Sequence, residues 1–163
     1  MNRDANDFQA RRFERTATIH IEGPVAEVFP LFGPVREKDW AHGWNPTILY
    51  PKDSLVAKHM VFQTHGGLHG STETYTWTIV NYNPADGQIE YLVSASDRLW
   101  FITISCAAIN NSTAATITYS YTGFTGEANN KNESTITKMF ANDLKDWEKA
   151  INHYLKTGTR LLD

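Results

Sequence analysis

Residues 132–157 read NESTITKMFANDLKDWEKAINHYLKT, and this stretch decides how the rest of the chain must be arranged. Its apolar residues recur at spacings of three and four, which places them on one face of a helix: Ile136, Met139, Phe140, Leu144, Trp147, Ile151, Tyr154 and Leu155. Charged residues fill most of the other positions. A helix of this length with three aromatic side chains on its apolar face needs a broad apolar partner. We therefore predict one long C-terminal helix over 132–157, packed against a sheet.

The segment before this helix supplies the strands of that sheet. Alternation of apolar and polar residues, with many β-branched side chains, predicts strands at residues 15–22, 60–64, 72–82, 88–95, 99–108 and 113–124, with a further short strand at 47–50. Short connections rich in Gly, Asn, Asp and Pro predict antiparallel neighbours.

Pro, Gly and Asn residues predict the structure of two connecting segments. One lies between the first two strands, and the other lies just before the final helix. Pro24, Pro30 and Pro34 predict two short helices, over 25–32 and 35–40. Residues 126–131 are expected to form a loop. Asn130 or Asn132 is expected to cap the final helix.

Length and composition limit the class of protein. A chain of 163 residues predicts a single domain over 1–163, in which residues 1–13 are polar and loosely attached. The net charge of −3 and the lack of long basic runs argue against a nucleic-acid partner. No apolar stretch approaches the roughly 20 residues of a membrane span. The first 15 residues lack the apolar core of a secretory signal, and Cys106 is the single cysteine. We therefore expect a cytoplasmic protein, as a monomer or homodimer, without stable membrane insertion.

The order of these elements resembles the START-like helix-grip superfamily, also called SRPBCC, over residues 14–157. The segment GPVAEVFPLFGPVREKDWAHGWNPTILYP at 23–51 is similar to a bacterial subgroup in which an acid, a Trp and Gly-Trp-x-Pro follow one another. Here these are Glu37, Trp40 and Gly43-Trp44-Asn45-Pro46. The strand ITYSYTGF at 117–124 is a second similarity. The resemblance implies an α+β helix-grip fold, in which a curved antiparallel sheet wraps around a long C-terminal helix and two short helices follow the first strand.

The same resemblance implies the kind of function without fixing one. Members of the superfamily hold an apolar or amphipathic small molecule, lipid or polyketide-like, between the sheet and the C-terminal helix. The first hypothesis is therefore a binding protein. The second is a cyclase, dehydratase or hydrolase that acts on a polyketide-like substrate in the same cavity. The third is an interaction or stress-response module whose core is filled. Because one fold serves all three, function must be argued from the site.

Alternation along the strands predicts which side chains face the helix. In the strand at 72–82 the odd set from Glu73 to Asn81 is bulkier and is assigned inward. The inward residues assigned to the three later strands are Ile89, Tyr91, Val93, Trp100, Ile102, Ile104, Cys106, Ile117, Tyr119 and Tyr121. The candidate ligand-binding residues combine these strands with the final helix and the segment before the second strand: Tyr75, Trp77, Tyr91, Tyr119, Tyr121, Trp44, Met139, Phe140 and Trp147. Trp40 and Trp44 are interpreted first as packing residues, with a cavity lid as the alternative.

Three residues are candidate acid–base groups, namely His65, Glu73 and Glu37. A His near the cavity mouth titrates close to neutral pH, and a carboxyl in an apolar pocket has a raised pKa. For Glu37 we favour a structural role, either pairing with a basic residue or satisfying nearby backbone groups. His65 and His69 have the spacing of two metal ligands, but they belong to a turn and have no third ligand at a fixed spacing. We therefore expect no metal and no cofactor.

Overall fold

A computed structural model describes residues 7–66 and 73–162, and it has a seven-stranded sheet with helices packed on one face. Neighbouring strands are antiparallel throughout, in the order β1-β7-β6-β5-β4-β3-β2. The strands are β1 Arg12–Ile21, β2 Thr47–Tyr50, β3 Val61–Gly66, β4 Glu73–Asn83, β5 Gln88–Ser94, β6 Arg98–Ile109 and β7 Ser112–Gly123. The helices are α1 Val25–Val28, α2 Gly126–Met139 and α3 Lys145–Thr157. The α+β helix-grip prediction is confirmed.

The segment between β1 and β2 is short and turns often, as its prolines predict. The helix α1 continues directly into a 3₁₀ turn at Phe29–Phe32, with Pro30 in its first turn. A second 3₁₀ turn follows at Glu37–Asp39. Two tryptophans fasten this segment, because Trp40 Nε1 donates to the Leu31 carbonyl at 2.7 Å and Trp44 Nε1 donates to the Pro34 carbonyl at 2.8 Å. The packing role expected for both is therefore observed.

The C-terminal helix differs from the sequence prediction, because it is two helices. Residues 140–144 form turns, and both Asp143 and Leu144 adopt left-handed backbone, at φ of 55° and 59°. Asp visits this region more readily than most residues, and the side chain of Leu144 is buried in return. The apolar spacing continues through the break, so periodicity alone does not reveal it. As a result, α2 packs on β7 and β1, and α3 packs on β1.

The start of α2 also differs from the prediction. Residues 126–131 are helical rather than a loop, and the cap is Thr125, whose Oγ1 accepts from the Ala128 N–H at 3.0 Å. Asn132, predicted as a cap, is buried within α2. A Cβ on Gly123 would lie 2.9 Å from the Asn129 backbone nitrogen, so only glycine lets α2 approach β7 this closely.

The N-terminal segment is held more firmly than its polar sequence suggests. Arg12 and Phe13 belong to β1 and pair with β7. The Asn129 side chain accepts from the Arg11 N–H at 3.3 Å and donates to the Gln9 carbonyl at 3.0 Å. Residues 9–13 are therefore tied to the sheet and to α2 rather than loosely attached. For residues 1–6, which lie outside the described residues, loose attachment stays a prediction.

The inward face follows the predicted alternation with one exception. The predicted inward residues of β5, β6 and β7 are buried: Ile89, Tyr91, Val93, Trp100, Ile102, Ile104, Cys106, Ile117, Tyr119 and Tyr121. In β4 the pairing with β5 shifts between Ile79 and Asn81. This irregularity reverses the alternation, so Asn81 is exposed and Tyr82 packs inward, stacked on Phe29. The assignment of Asn81 to the inward face is wrong for this reason.

Candidate functional site

An open cavity of about 520 Å³, here called the outer cavity, lies between the sheet and the end of α2. Its rim includes the exposed residues Gly43, Asn45 and His65. Half of its twelve described lining residues are aromatic: Trp44, Tyr75, Trp77, Trp100, Tyr119 and Tyr121. Met139 completes the wall from α2. The volume and the aromatic lining are typical of a site for a small organic molecule.

Two tyrosine hydroxyls of the outer cavity are available to a ligand. Among the residues that the structure describes, neither Tyr119 nor Tyr121 has a hydrogen-bond partner for its hydroxyl, whereas Tyr91 donates to the Phe32 carbonyl at 2.8 Å. Burial raises the pKa of Tyr119 and of Tyr121, so both remain protonated at neutral pH. Each ring therefore offers an apolar face together with a hydroxyl that can donate or accept.

Glu73 lies beside the outer cavity in a charged cluster. Its carboxylate accepts from the Tyr75 hydroxyl at 2.5 Å, from Arg98 at 3.2 and 3.3 Å, and from Lys131 at 3.3 Å. The Arg98 guanidinium also lies 5.7 Å from the Tyr75 ring centre and 5.5 Å from that of Trp100. Hydrogen bonds from Arg98, and then from Tyr75, lower the pKa of Glu73 to about 2. Glu73 is therefore ionised and saturated with partners, which does not suit an acid–base catalyst.

His65 and His42, the two described histidines that line a cavity or groove, are exposed. His65 lines the outer cavity and its Nδ1 lies 3.1 Å from Thr74 Oγ1. His42 lines a separate groove of about 350 Å³ against α3. His69 lies outside the described residues. Within 7–66 and 73–162, no three His, Cys, Asp or Glu side chains come together as metal ligands.

A second, much smaller cavity of about 20 Å³, here called the deep cavity, lies further inside. Trp77 and Tyr119 line both cavities and so form the partition between them. The remaining described lining residues come from the 3₁₀ turns and the segment after them, from β5 and β6, and from α3: Phe32, Glu37, Trp40, Tyr91, Ile102, Ile104 and Trp147. Its walls are aromatic or aliphatic apart from Glu37.

Glu37 is the only charged residue among the described residues that line the deep cavity. As a residue it keeps some solvent exposure, because it lies in a surface turn, but protein surrounds its carboxyl group. No described residue donates a hydrogen bond to that carboxyl, and none pairs with it. Burial raises the pKa of Glu37 to about 8. The pairing role that we favoured from the sequence is therefore not what the structure has.

The candidate ligand-binding residues divide between the two cavities. Six of them line the outer cavity: Trp44, Tyr75, Trp77, Tyr119, Tyr121 and Met139. Tyr91 and Trp147 line the deep cavity. Phe140 lines neither and packs edge-on against Tyr119, with the ring centres 5.8 Å apart.

Sequence reasoning left out several residues of the two cavities. Trp100 lines the outer cavity, and strand alternation had already placed it inward. Phe32, Trp40, Ile102 and Ile104 line the deep cavity. Strand alternation also predicts that Ile102 and Ile104 face inward. It says nothing of Phe32 and Trp40, because their positions depend on how the turns fold back on the sheet.

Comparison with solved structures places this arrangement of elements among helix-grip proteins. The Zhui aromatase/cyclase from Streptomyces sp. R1128 aligns with a TM-score of 0.65 and 14% identity over 94% of this chain and 100% of that one. Norcoclaurine synthase from Thalictrum flavum, in complex with dopamine and hydroxybenzaldehyde, aligns with a TM-score of 0.67 and 11% identity over 90% and 88%. Ara h 8.0201 aligns with a TM-score of 0.56 and 16% identity over 91% and 99%. No family model matches the chain, and no curated protein matches it significantly.

These likenesses establish the fold and leave the activity to the site. The chain has the START-like helix-grip fold, as its sequence predicted. At 11–16% identity, the three proteins share an architecture with this chain, and one architecture serves many functions. None of the helices in the described part of the chain is long and apolar enough to cross a membrane.

Proposed function

We propose that the chain binds an aromatic or amphipathic small molecule in the outer cavity. The observation that carries the proposal is the wall of six aromatic rings around about 520 Å³ of open space. Edge-to-face packing fixes these rings, with Trp77 and Trp44 centres 5.4 Å apart and Tyr75 and Trp100 centres 5.3 Å apart. A ligand therefore meets preformed apolar faces and loses little free energy to reorganisation of the site.

Two further observations support this proposal. The free hydroxyls of Tyr119 and Tyr121 give an amphipathic ligand polar anchors within an apolar wall. The norcoclaurine synthase structure that shares this fold contains dopamine and hydroxybenzaldehyde, both small aromatic compounds. The open cavity argues against the third hypothesis, an interaction module with a filled core. Lipid and polyketide-like molecules remain within the proposed ligand class.

The test fills the outer cavity from α2. Met139 lines the cavity, whereas its neighbour Lys138 is exposed on the other side of the helix. Binding is measured by titration with 1-anilinonaphthalene-8-sulfonate and by native mass spectrometry of the protein purified from cells. We expect saturable 1:1 binding, weakened at least ~10-fold in Met139→Trp by steric exclusion. The matched control Lys138→Trp should bind like the wild type. No binding, or equal binding by the two variants, would overturn the proposal.

A second candidate function is acid–base catalysis on a polyketide-like substrate, as a cyclase, dehydratase or hydrolase. The isolated carboxyl of Glu37 favours it, because a pKa near 8 suits a group that both accepts and returns a proton near neutral pH. A panel of poly-β-ketone thioesters, followed by absorbance of the cyclised product, tests it. Turnover that Glu37→Gln abolishes, with KM unchanged and a wild-type pH profile that bends near 8, supports catalysis. Turnover unaffected by Glu37→Gln excludes Glu37 from it.

A further inference from the structure

Two aromatic–carboxylate groupings in this molecule differ in one component. Beside the outer cavity, Glu73 accompanies the rings of Tyr75 and Trp100, and the Arg98 guanidinium contacts both the carboxylate and the two rings. In the deep cavity, Glu37 accompanies aromatic rings, but no Lys, Arg or His is among the described lining residues. The second grouping has the carboxyl group and the ring faces of the first, without the cation.

Two groups of contacting aromatic rings line the deep cavity together with Glu37. In one group, Trp40 and Trp147 have ring centres 5.7 Å apart, and Trp147 and Tyr119 have ring centres 6.3 Å apart. In the other group, the Trp77 and Tyr91 centres are 5.6 Å apart. Aromatic faces attract cations through the ring quadrupole, and most strongly where water is excluded. A cation with N–H groups would therefore satisfy both the rings and the carboxylate.

The size of the deep cavity limits what can enter it. About 20 Å³ holds one group the size of a water molecule. A primary ammonium group is of that size, whereas an aromatic ring is not. Because Trp77 and Tyr119 line both cavities, a ligand with its ring in the outer cavity would place an amine in the deep cavity by passing a short linker between these two side chains.

We propose that Glu37 binds the protonated amine of an aromatic amine whose ring occupies the outer cavity. This inference rests on the proposed function, since the ring is held by the same aromatic wall. The aromatic wall alone does not specify the ligand class, whereas this inference specifies an aromatic amine. It also gives Glu37 a binding role that requires no catalysis.

Binding of a cation at Glu37 has a consequence for protons. Among the described residues, the titratable groups that face Glu37 are Tyr91 and Tyr119, and burial raises the pKa of each, so neither is charged near neutral pH. Glu37 itself is mostly protonated at pH 7 in the empty protein. An ammonium group that pairs with it stabilises the carboxylate, and the displaced proton passes to the buffer. Close to one proton should be released for each amine bound at pH 7.

The experiment compares three probes of one shape and different charge. These are 2-phenylethylamine, 2-phenylethanol and 3-phenylpropionate, titrated calorimetrically in two buffers of different ionisation enthalpy. We expect the amine to bind at least ~10-fold more tightly than the alcohol and to release a proton, and the carboxylate to bind most weakly. Glu37→Gln should remove the amine preference and the proton release. Asp39→Asn is the matched control on the same 3₁₀ turn, where Asp39 pairs with exposed Arg36, and it should keep both.

The outcomes separate this inference from the proposed function. Equal binding of the three probes, or an amine preference that survives in Glu37→Gln, overturns the role of Glu37 and leaves the outer cavity as a binding site. Binding of 1-anilinonaphthalene-8-sulfonate without binding of any phenyl probe also overturns the inference alone. Failure of all four compounds to bind overturns both.

Discussion

Two glutamates at the cavities of this protein differ in their burial and in their hydrogen-bond donors. Glu73, beside the outer cavity, is bonded to Arg98, Tyr75 and Lys131, and its pKa is held at about 2. Glu37, in the deep cavity, has no such partner among the described residues, and its pKa is raised to about 8. Both lie against aromatic rings. Burial without a donor therefore keeps Glu37 protonated at neutral pH, whereas hydrogen bonds from Arg98 and Tyr75 keep Glu73 ionised.

The difference in hydrogen-bond partners indicates a structural role for Glu73 and a functional role for Glu37. A carboxylate whose partners are all provided by the protein contributes to stability and has little capacity left for a ligand. A buried carboxyl without donors costs stability when it ionises, and such a cost is typical of functional sites. Glu37 is therefore the better candidate for a functional carboxyl, although Glu73 has more hydrogen-bond partners.

The largest change in stability is expected from removing the Glu73 carboxylate, all of whose partners come from the protein. Glu73→Gln removes one of the two carboxylates that pair with Arg98, whose side chain is only 7% exposed, and leaves Asp97 at 2.7 Å as the other. We expect a loss of about 3 kcal/mol in the free energy of unfolding at pH 7, since the charge-assisted hydrogen bonds of Glu73 are lost and a buried guanidinium keeps a single counter-charge. Urea denaturation measures it. Glu14→Gln, which breaks an exposed pair with Arg12, is the control and should change stability by less than about 0.5 kcal/mol. Equal effects of the two substitutions would show that the buried pair is not special.

Replacement of Glu37 is expected to raise the free energy of unfolding, in contrast to replacement of Glu73. Its pKa is about 8 in the folded protein and 4.5 in the unfolded chain, so the folded protein binds the extra proton between these values and loses stability as the pH rises through that window. The loss approaches about 1.4 kcal/mol per pH unit. Glu37→Gln should therefore gain about 2 kcal/mol relative to the wild type between pH 6 and pH 8. Denaturation at both pH values measures this, and a pH-independent difference would refute the unpartnered state.

A smaller effect is expected at the partition between the cavities. Tyr119→Phe keeps the ring that lines both cavities and removes its free hydroxyl. We expect a roughly 3- to 10-fold loss of affinity for an amphipathic ligand, the equivalent of one hydrogen bond, with stability little changed. Calorimetric titration measures the affinity. Tyr50→Phe, at a tyrosine that is 64% exposed, is the control. Unchanged affinity in Tyr119→Phe would remove the hydroxyl from the binding site.

The smallest effect concerns the third partner of Glu73. Lys131 is about half exposed and bonds to the carboxylate at 3.3 Å. Solvent screens such a pair, so Lys131→Ala should change the free energy of unfolding by less than about 0.5 kcal/mol. Thermal denaturation at low and high salt measures it. A loss comparable to that of Glu73→Gln would mean that Lys131, rather than Arg98, neutralises the carboxylate.

Local patterns in the sequence predict much of this molecule. Alternation in β5, β6 and β7 identifies the inward residues, including Tyr119 and Trp100, because the side-chain period of a strand is fixed by its geometry. It fails at Asn81, where a register shift that the sequence does not announce reverses the period. Helical spacing places Met139 and Trp147 on one face, but it does not reveal the left-handed backbone at Asp143 and Leu144.

Local sequence patterns do not predict the deep cavity. Glu37 meets Tyr91, Tyr119 and Trp147, which come from β5, β7 and α3. Their meeting depends on how the turns after β1 close over the sheet. The sequence offers Glu37 as a candidate, but whether a basic residue pairs with it is a tertiary fact. A cytoplasmic location, and a monomeric or dimeric state, stay predictions from the sequence.

A ¹³C NMR titration of the glutamate side-chain carboxyl carbons tests the central comparison most directly, since both groups are observed in one sample. Assignment by Glu37→Gln and Glu73→Gln identifies the two signals. We predict a midpoint near 8 for Glu37 and near 2 for Glu73 in the ligand-free protein. A midpoint near 4.5 for Glu37, the value of an unperturbed carboxyl, would contradict this prediction, because the carboxyl would then be solvated or paired and no longer open to a ligand.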